Sequence, residues 1–193
     1  MKKRIGVFGG SFDPVHQGHN HIVKNFLDSG VIDEILITLT PDPPHKNSHI
    51  QAPFNHRLKM LELEFNGFER VIISDLEQSL PKPSYTLQTI HSLKKSHPEI
   101  TYFLCLGEDS LVNFHKWYRY RILLDEISLL VARRPGYSSE SVAKEILDRT
   151  IFINNPEMDV SSSDIRGRFS HKSDELSAKV EEYIQKHNLY KPI

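Results

Sequence analysis

The chain has 193 residues, of which 38% are hydrophobic and 25% are charged, as is usual for a soluble globular domain. The 24 Lys and Arg residues nearly balance the 25 Asp and Glu residues, and this excludes binding of nucleic acid through bulk positive charge. The single cysteine, Cys105, excludes a disulfide framework and a cysteine zinc cluster, and no apolar run approaches the roughly 20 residues of a membrane span.

Short apolar runs alternate with amphipathic stretches along the chain. Runs with apolar residues at nearly every position predict six buried strands, at 5–8, 35–39, 71–73, 102–106, 127–131 and 151–153. Apolar residues at helical spacing predict helices at 19–28, 53–64, 86–95, 110–116, 140–148 and 174–187. This alternation is typical of a parallel sheet covered on both faces. We therefore predict an α/β fold with a doubly wound, Rossmann-like sheet of five to six strands.

The predicted sheet also gives a domain organisation and the place of a binding site. Residues 1–158 are expected to form the Rossmann-like core, and 159–193 a small helical C-terminal part of the same domain. With the usual strand order 3-2-1-4-5, ligands bind in the crevice between the first and fourth strands, where the winding reverses. The Pro-rich segment 41–49 is expected to form a loop that could act as a lid.

The segment after the first strand combines glycines with two histidines. Gly9 and Gly10 let the backbone approach a ligand closely, and the helix that begins after them presents free N–H groups to an anion. His16 and His19 are three residues apart, so both rings can point toward that anion. Two alternatives stay open: the histidines lie on the surface, or they bind a metal together with His21.

The fourth strand ends in Gly107, followed by the carboxylate of Asp109. A small residue followed by an acid at the end of a strand suits contact with a ribose hydroxyl. Asp109 could equally cap the next helix, and both roles are compatible.

A second candidate anion site lies between residues 160 and 166. Ser161 and Asp164 have the spacing of a capping box, which predicts that a helix begins here. Capping explains one serine and the acid, but it does not explain three hydroxyls, Ser161, Ser162 and Ser163, followed within a turn by Arg166, and these together could form a second anion cradle.

Several common motifs are absent from the sequence. There is no P-loop and no G-x-G-x-x-G fingerprint, which disfavours a P-loop kinase and an ordinary NAD-dependent dehydrogenase. There is no G-x-S-x-G elbow either, and Cys105 lies within an apolar strand, where a thiol is expected to be inert.

Two segments resemble the signatures of the nucleotidylyltransferase superfamily. Residues 9–19, GGSFDPVHQGH, resemble its G-x-F-x-P-x-H-x-G-H signature, and residues 160–166, VSSSDIR, resemble its I-S-S-T-x-I-R signature. Within the superfamily, segments 43–46, 83–89, 107–117 and 134–137 are similar to those of the bacterial nicotinate-nucleotide adenylyltransferase family. The resemblance implies an enzyme that transfers AMP from ATP to nicotinate mononucleotide, giving deamido-NAD and pyrophosphate in NAD biosynthesis, without a covalent intermediate.

The resemblance also implies roles for individual residues. The catalytic residues would be His16, His19 and Arg166. The ATP-binding residues would be Gly9, Gly10, Ser11, Phe12, His16, His19, Gly107, Asp109, Ser162, Ser163, Ile165 and Arg166. The residues that bind the acceptor would be His45, Lys46, Thr86, Trp117, Tyr118 and Arg134. Glu108 stands where the family usually has a smaller residue, so its charge is expected beside the nucleotide pocket.

The expected cofactor is Mg²⁺, held by the ATP phosphates and water, with no metal site made by the protein. The expected partners are ATP and nicotinate mononucleotide, with no nucleic acid and no membrane, and a homo-oligomer is compatible with the sequence. The apolar run after the basic residues 1–4 is too short for a signal peptide, so we expect a cytoplasmic protein. The alternatives are a sister transferase acting on nicotinamide mononucleotide or phosphopantetheine, a non-catalytic nucleotide sensor and a histidine-ligated metal hydrolase.

Overall fold

A computed structural model describes residues 2–42, 51–134, 136–154, 160–168 and 174–190. Within these ranges one sheet contains the strands β1 (Arg4–Gly10), β2 (Glu34–Leu39), β3 (Val71–Ser74), β4 (Thr101–Gly107), β5 (Ser128–Ala132) and β6 (Thr150–Ile153). The strand order is β3-β2-β1-β4-β5-β6, and every pairing between neighbours is parallel. The predicted doubly wound α/β sheet is therefore confirmed, with six strands.

The helices connect the strands and cover both faces of the sheet. In the described part of the chain they are α1 (Gln17–Asp28), α2 (Phe54–Glu64), α3 (Thr86–Ser96), α4 (Glu108–Val112), α5 (Tyr120–Glu126), α6 (Lys144–Leu147), α7 (Ser162–Arg168) and α8 (Ala178–Lys186). Short 3₁₀ helices span Leu76–Ser79, Phe114–Lys116 and Ser139–Ser141. None of the helices in the described ranges has the length and apolar character needed to cross a bilayer.

Two apolar cores lie on opposite faces of the sheet. Phe26 of α1, Met60 of α2 and Val180 of α8 are buried in one of them. Ile90 of α3 and Leu123 of α5 are buried in the other. The C-terminal helix α8 thus packs into the same core as α1 and α2. The predicted boundary at 158/159 falls outside the described ranges, and it stays a prediction.

Three predicted helices differ in their bounds. The helix predicted at 140–148 is interrupted because Val142 and Ala143 have extended backbones, and the side chain of Val142 is buried in the core. The helix predicted at 110–116 is divided at Asn113 into α4 and a 3₁₀ turn. The last helix begins only at Ala178, because Ser177 is extended.

Helix α5, which has only seven residues, was not predicted from the sequence. Its apolar residues lie directly before those of β5, so the two elements form one nearly continuous apolar stretch. Periodicity alone does not divide such a stretch into a helix and a strand.

Candidate active site

The carboxyl ends of β1 and β4 lie side by side at the point where the winding reverses, as predicted. The chain leaving β1 runs through a buried turn to His16, which precedes the first residue of α1. The His16 backbone N–H donates to Nδ1 of His19 across 3.2 Å, and the two ring centroids are 3.8 Å apart. Since Nδ1 of His19 accepts this bond, a neutral His19 carries its proton on Nε2. The Nε2–H group is then a donor for an anion.

The structure distinguishes His16 from its neighbour by burial. Its side chain is 5% exposed, and this burial, together with the nearby positive charge of Arg134, lowers the pKa of His16 to about 4. The sequence allowed a neutral or a cationic ring, and the structure makes His16 neutral at neutral pH. A Cβ atom on Gly18 would lie 3.0 Å from Nδ1 of His16, so only a glycine lets this ring pack against the start of α1.

The second predicted motif begins a helix, as its capping-box spacing indicated. The backbone N–H of Asp164 donates to Oγ of Ser161 across 3.1 Å, and the Ser161 hydroxyl donates to the Asp164 carboxylate across 2.7 Å. These reciprocal bonds fix the first turn of α7.

The two motifs lie in direct contact. Arg166 of α7 donates to the carbonyl of Asp13 across 2.6 Å and to the hydroxyl of Ser163 across 3.2 Å. The Ser162 hydroxyl donates to the carbonyl of Pro14 across 3.0 Å, although the two residues are 148 positions apart. The guanidinium group of Arg166 is therefore held beside the turn that precedes α1.

Two of the predicted nucleotide-binding residues are apolar and buried in one core. Phe12 and Ile165 belong to the same hydrophobic cluster, and the ring of Phe12 lies edge-on to His19 with a centroid distance of 4.9 Å. Phe12 therefore packs against the His19 imidazole, and Phe12 and Ile165 anchor the turn and the start of α7 in the core.

A cavity of about 600 Å³ opens beside these motifs, between the sheet and α3. Seven predicted site residues line it: Gly9, Gly10, Ser11, Thr86, Asp109, Trp117 and Tyr118. The other described members lie outside its lining: Phe12, His16, His19, Gly107, Arg134, Ser162, Ser163, Ile165 and Arg166. His45 and Lys46 fall outside the described residues.

Aromatic side chains form one wall of the cavity. The rings of Tyr85 and Tyr118 are stacked with centroids 4.2 Å apart, and Trp117 packs on Phe114 with centroids 5.3 Å apart. Thr86 is the first residue of α3, so the free N–H groups of that helix begin at the same wall. The wall thus offers a flat apolar surface next to donors for an anion.

Glu108 is turned away from the cavity that it was expected to influence. Its carboxylate is 3% exposed, accepts the backbone N–H of Arg134 across 3.0 Å and lies 3.9 Å from the guanidinium group of Arg133. The guanidinium group of Arg134 in turn lies 3.8 Å from the Asp109 carboxylate. Glu108 therefore helps to position Arg134, a role that the sequence analysis missed.

Glu77 is a second acid that sequence reasoning missed. It is buried, lines the cavity and accepts a hydrogen bond from the Thr89 hydroxyl across 3.0 Å. Burial raises the pKa of Glu77, and the hydrogen bond from Thr89 opposes the rise. The Ser84 hydroxyl also lines the cavity and has no hydrogen-bond partner in the described part of the chain. Ser84 and Thr89 belong to the segment 83–89 that resembles the family, whereas no sequence pattern singled out Glu77.

Arg57 is a buried cation that holds the loops around the site. It is 1% exposed and donates to the carbonyls of Ala52 (3.1 Å), Ser11 (2.7 Å) and Thr40 (3.0 Å). It thereby joins the ends of β1 and β2 to the start of α2. Its position on an otherwise ordinary amphipathic helix gave no signal in the sequence.

The metal alternative finds no ligand set in the described ranges. No three His, Cys, Asp or Glu side chains come together there as ligands would. Cys105 is buried in β4, and burial raises the pKa of its thiol, as expected for an inert residue.

The comparisons with known proteins agree with this geometry. The cytidylyltransferase-like family model matches residues 7–168. The chain is 37% identical to a probable nicotinate-nucleotide adenylyltransferase of Bacillus pumilus, over 97% of this chain and 98% of that protein. It is 33% identical to the nicotinate-nucleotide adenylyltransferase of Bacillus subtilis, with the same coverage of both chains.

A solved structure extends the similarity to three dimensions. The Plasmodium falciparum nicotinic acid mononucleotide adenylyltransferase complexed with NaAD matches this chain with a TM-score of 0.81 and 25% identity, over 97% of both chains. The chain therefore belongs to the cytidylyltransferase-like family and, within it, to the nicotinate-nucleotide adenylyltransferases.

Proposed function

We propose that the protein transfers AMP from ATP to nicotinate mononucleotide, forming deamido-NAD and pyrophosphate in NAD biosynthesis. The observation that carries the proposal is the contact between the two motifs. Arg166 of α7 donates to the carbonyl of Asp13, in the turn that leads to His16 and His19, and Gly10 and Ser11 just before Asp13 line the aromatic cavity. An oxygen of the acceptor 5′-phosphate attacks the α-phosphorus of ATP and forms a new P–O bond. The bond from that phosphorus to the bridging oxygen breaks, and pyrophosphate leaves with the electron pair.

The phosphates would be held by donors from both motifs: His16, His19, Ser162, Ser163 and Arg166. A phosphate monoester is already a nucleophile, so no side-chain base is required. Alignment of the two substrates can supply roughly 7–11 kcal/mol of the barrier reduction. His19, through Nε2–H, and Arg166 would stabilise the charge that develops on the phosphates.

Residues at the carboxyl ends of β1 and β4, together with Ile165 of α7, would bind the adenosine part of ATP: Gly9, Gly10, Ser11, Phe12, Gly107, Asp109 and Ile165. A Cβ atom on Gly107 would collide with the Asp109 carboxylate, so glycine allows Asp109 to fold back over the end of β4. From there its carboxylate can accept hydrogen bonds from ribose hydroxyls.

The acceptor would occupy the cavity, with its pyridine ring on Trp117 and its carboxylate near Thr86 and Tyr118. The free N–H groups and the positive dipole end of α3 favour an anion there, which favours nicotinate over nicotinamide. Arg134, together with His45 and Lys46, would contact the acceptor phosphate or the ATP tail.

Mg²⁺ would be carried by ATP. In the described ranges there is no cluster of three candidate ligands, and the Asp109 carboxylate faces the guanidinium group of Arg134. These side chains are compatible with an Mg²⁺ ion that is held by phosphate oxygens and water. When bound, Mg²⁺ neutralises part of the negative charge on the phosphates.

A cytoplasmic location and assembly into a homo-oligomer remain predictions. The near-neutral charge supports small-molecule substrates without nucleic acid. Light scattering of the purified protein measures the oligomeric state.

The decisive experiment measures pyrophosphate release from ATP and Mg²⁺ with three acceptors in parallel. We expect rapid turnover with nicotinate mononucleotide and much slower turnover with nicotinamide mononucleotide or phosphopantetheine. Turnover with another acceptor only would refute the proposed substrate, and ATP binding without any turnover would indicate a nucleotide sensor.

The His19→Ala substitution tests the proposed role of the imidazole. We expect kcat to fall by at least about 100-fold, as for loss of a preorganised donor, while the melting temperature changes little. His97→Ala, at an exposed histidine whose ring pairs with exposed Glu99, is the matched control. A near-wild-type kcat of the His19→Ala variant would remove His19 from the mechanism.

A further inference from the structure

We propose that Tyr190, near the C-terminal end of the chain, is a positioning residue that aligns the catalytic Arg166 through Asp13. The proposal rests on the proposed function, because it gives Tyr190 a role only if Arg166 acts on ATP phosphates. The hydroxyl of Tyr190 reaches a carboxylate 177 positions earlier in the chain, within the turn that follows β1.

Asp13 is the residue on which several parts of the site converge. Its side chain is 2% exposed, and its carboxylate accepts hydrogen bonds from the backbone N–H groups of Gln51 (2.9 Å) and Ala52 (3.1 Å). The third donor is the Tyr190 hydroxyl, at 2.7 Å, which is the shortest of the three bonds. A buried carboxylate requires such donors, since an unsatisfied charge inside a protein is strongly unfavourable.

The charges around Asp13 show why its carboxylate needs to be held. Nη1 of Arg166 lies 4.0 Å from one carboxylate oxygen, and the positive charge of Arg57 also acts on Asp13. Two cations on different elements attract the same carboxylate. The bonds from Tyr190 and the two backbone N–H groups fix its orientation between them. Burial and the proximity of Asp13 raise the pKa of Tyr190, so the phenol stays protonated and can donate.

The link to catalysis passes through the main chain of Asp13. Its carbonyl accepts the 2.6 Å hydrogen bond from Arg166, and the other end of that guanidinium group donates to Ser163. A shift of the Asp13 side chain moves this carbonyl, and the guanidinium group moves with it. The hydroxyl of Tyr190 is thus separated from the catalytic cation by a single residue.

The C-terminal helix brings Tyr190 to this position. Tyr183 of α8 contacts Nδ1 of His56 on α2 across 2.9 Å, and Tyr190 is buried in the core that α8 shares with α2. Tyr183 therefore also makes a long-range hydrogen bond through its hydroxyl, from α8 to α2, but it does not reach Asp13. This makes Tyr183→Phe a matched control for Tyr190→Phe.

The experiment compares wild type, Tyr190→Phe and Tyr183→Phe by pyrophosphate release and by thermal unfolding. We expect Tyr190→Phe to lower kcat about tenfold, or about 1.4 kcal/mol in the barrier, with less than about a threefold change in the KM for ATP. Tyr183→Phe is expected to lower the melting temperature about as much as Tyr190→Phe does, and to leave kcat within about twofold of wild type. A purely structural role of Tyr190 would lower the melting temperature alone.

A double-mutant cycle tests whether Tyr190 acts through Arg166. In an Arg166→Lys background, which removes the two-pronged contact to Asp13 and Ser163, Tyr190→Phe is expected to change kcat less than about twofold. If the wild type is active, each of three results would overturn this proposal and leave the proposed function standing. They are an unchanged kcat in Tyr190→Phe, a loss of kcat in Tyr183→Phe equal to that in Tyr190→Phe, and additive losses of kcat in the cycle. A wild type without turnover would instead refute the proposed function, and this inference with it.

Discussion

Replacing His16 with glutamine should remove a large part of the protein's sensitivity to acid. The folded protein lowers the pKa of His16 from 6.5 to about 4, chiefly because the ring is buried. Below about pH 6.5 the unfolded chain takes up a proton that the folded protein does not accept until about pH 4. The stability of the wild type therefore falls as the pH is lowered through this interval. At 1.36 kcal/mol per pH unit, the full loss is about 3 kcal/mol.

The measurement is the free energy of unfolding in urea, followed by circular dichroism at several pH values between 7.5 and 4.5. Titration of the other histidines is shared by wild type and His16→Gln, so the difference between their curves isolates His16. We expect wild type to lose roughly 2–3 kcal/mol more than the variant between pH 7 and pH 4.5.

Parallel curves for wild type and His16→Gln would refute this reasoning. They would mean that His16 titrates alike in the folded and unfolded states, so that the ring is not desolvated in the folded protein. The assignment of a neutral His16 at the phosphate site would then fail as well.

Three further substitutions test separate parts of the site. Gly18→Ala should lower kcat by at least about tenfold with little loss of circular dichroism, because the new Cβ atom would lie 3.0 Å from the His16 ring and displace it. Unchanged steady-state kinetics would contradict the close packing of this ring. Arg57→Met should lower the free energy of unfolding by about 3–5 kcal/mol, since the carbonyls of Ala52, Ser11 and Thr40 lose their donor and Asp13 loses one of its two cations. Arg57→Lys should cost less, and a loss below about 1 kcal/mol for Arg57→Met would argue against the network. Trp117→Ala should weaken acceptor binding by about 1–3 kcal/mol, if base stacking is a fair guide, with less effect on ATP; an unchanged acceptor KM would remove Trp117 from the site.

The patterns that fixed the fold class are local in the sequence. Runs such as 35–39 and 102–106 have apolar residues at nearly every position, which is typical of a short strand buried on both faces. The strand order and the crevice between β1 and β4 then follow from general rules of chain winding. The capping box at Ser161 and Asp164 was also predictable, because its bonds join residues three positions apart.

The elements that the sequence predicted poorly are short. α5 merges with β5 in one apolar stretch, and the helix predicted at 140–148 is interrupted where Val142 turns into the core. In both places burial in the tertiary structure, and not helical periodicity, determines the backbone conformation.

By itself the sequence determined the sheet, the crevice between β1 and β4 and the two motifs that we propose bind phosphate. The tertiary structure alone decided how the site is held and charged: the neutral state of His16, the inward turn of Glu108, and the convergence of Tyr190 and Arg166 on Asp13. Burial and electrostatic coupling depend on which distant segments come into contact. Tyr190, one of the partners of Asp13, lies 177 positions away in the sequence. No local sequence pattern predicts such a long-range contact, because the contact forms only when the complete core packs around the turn.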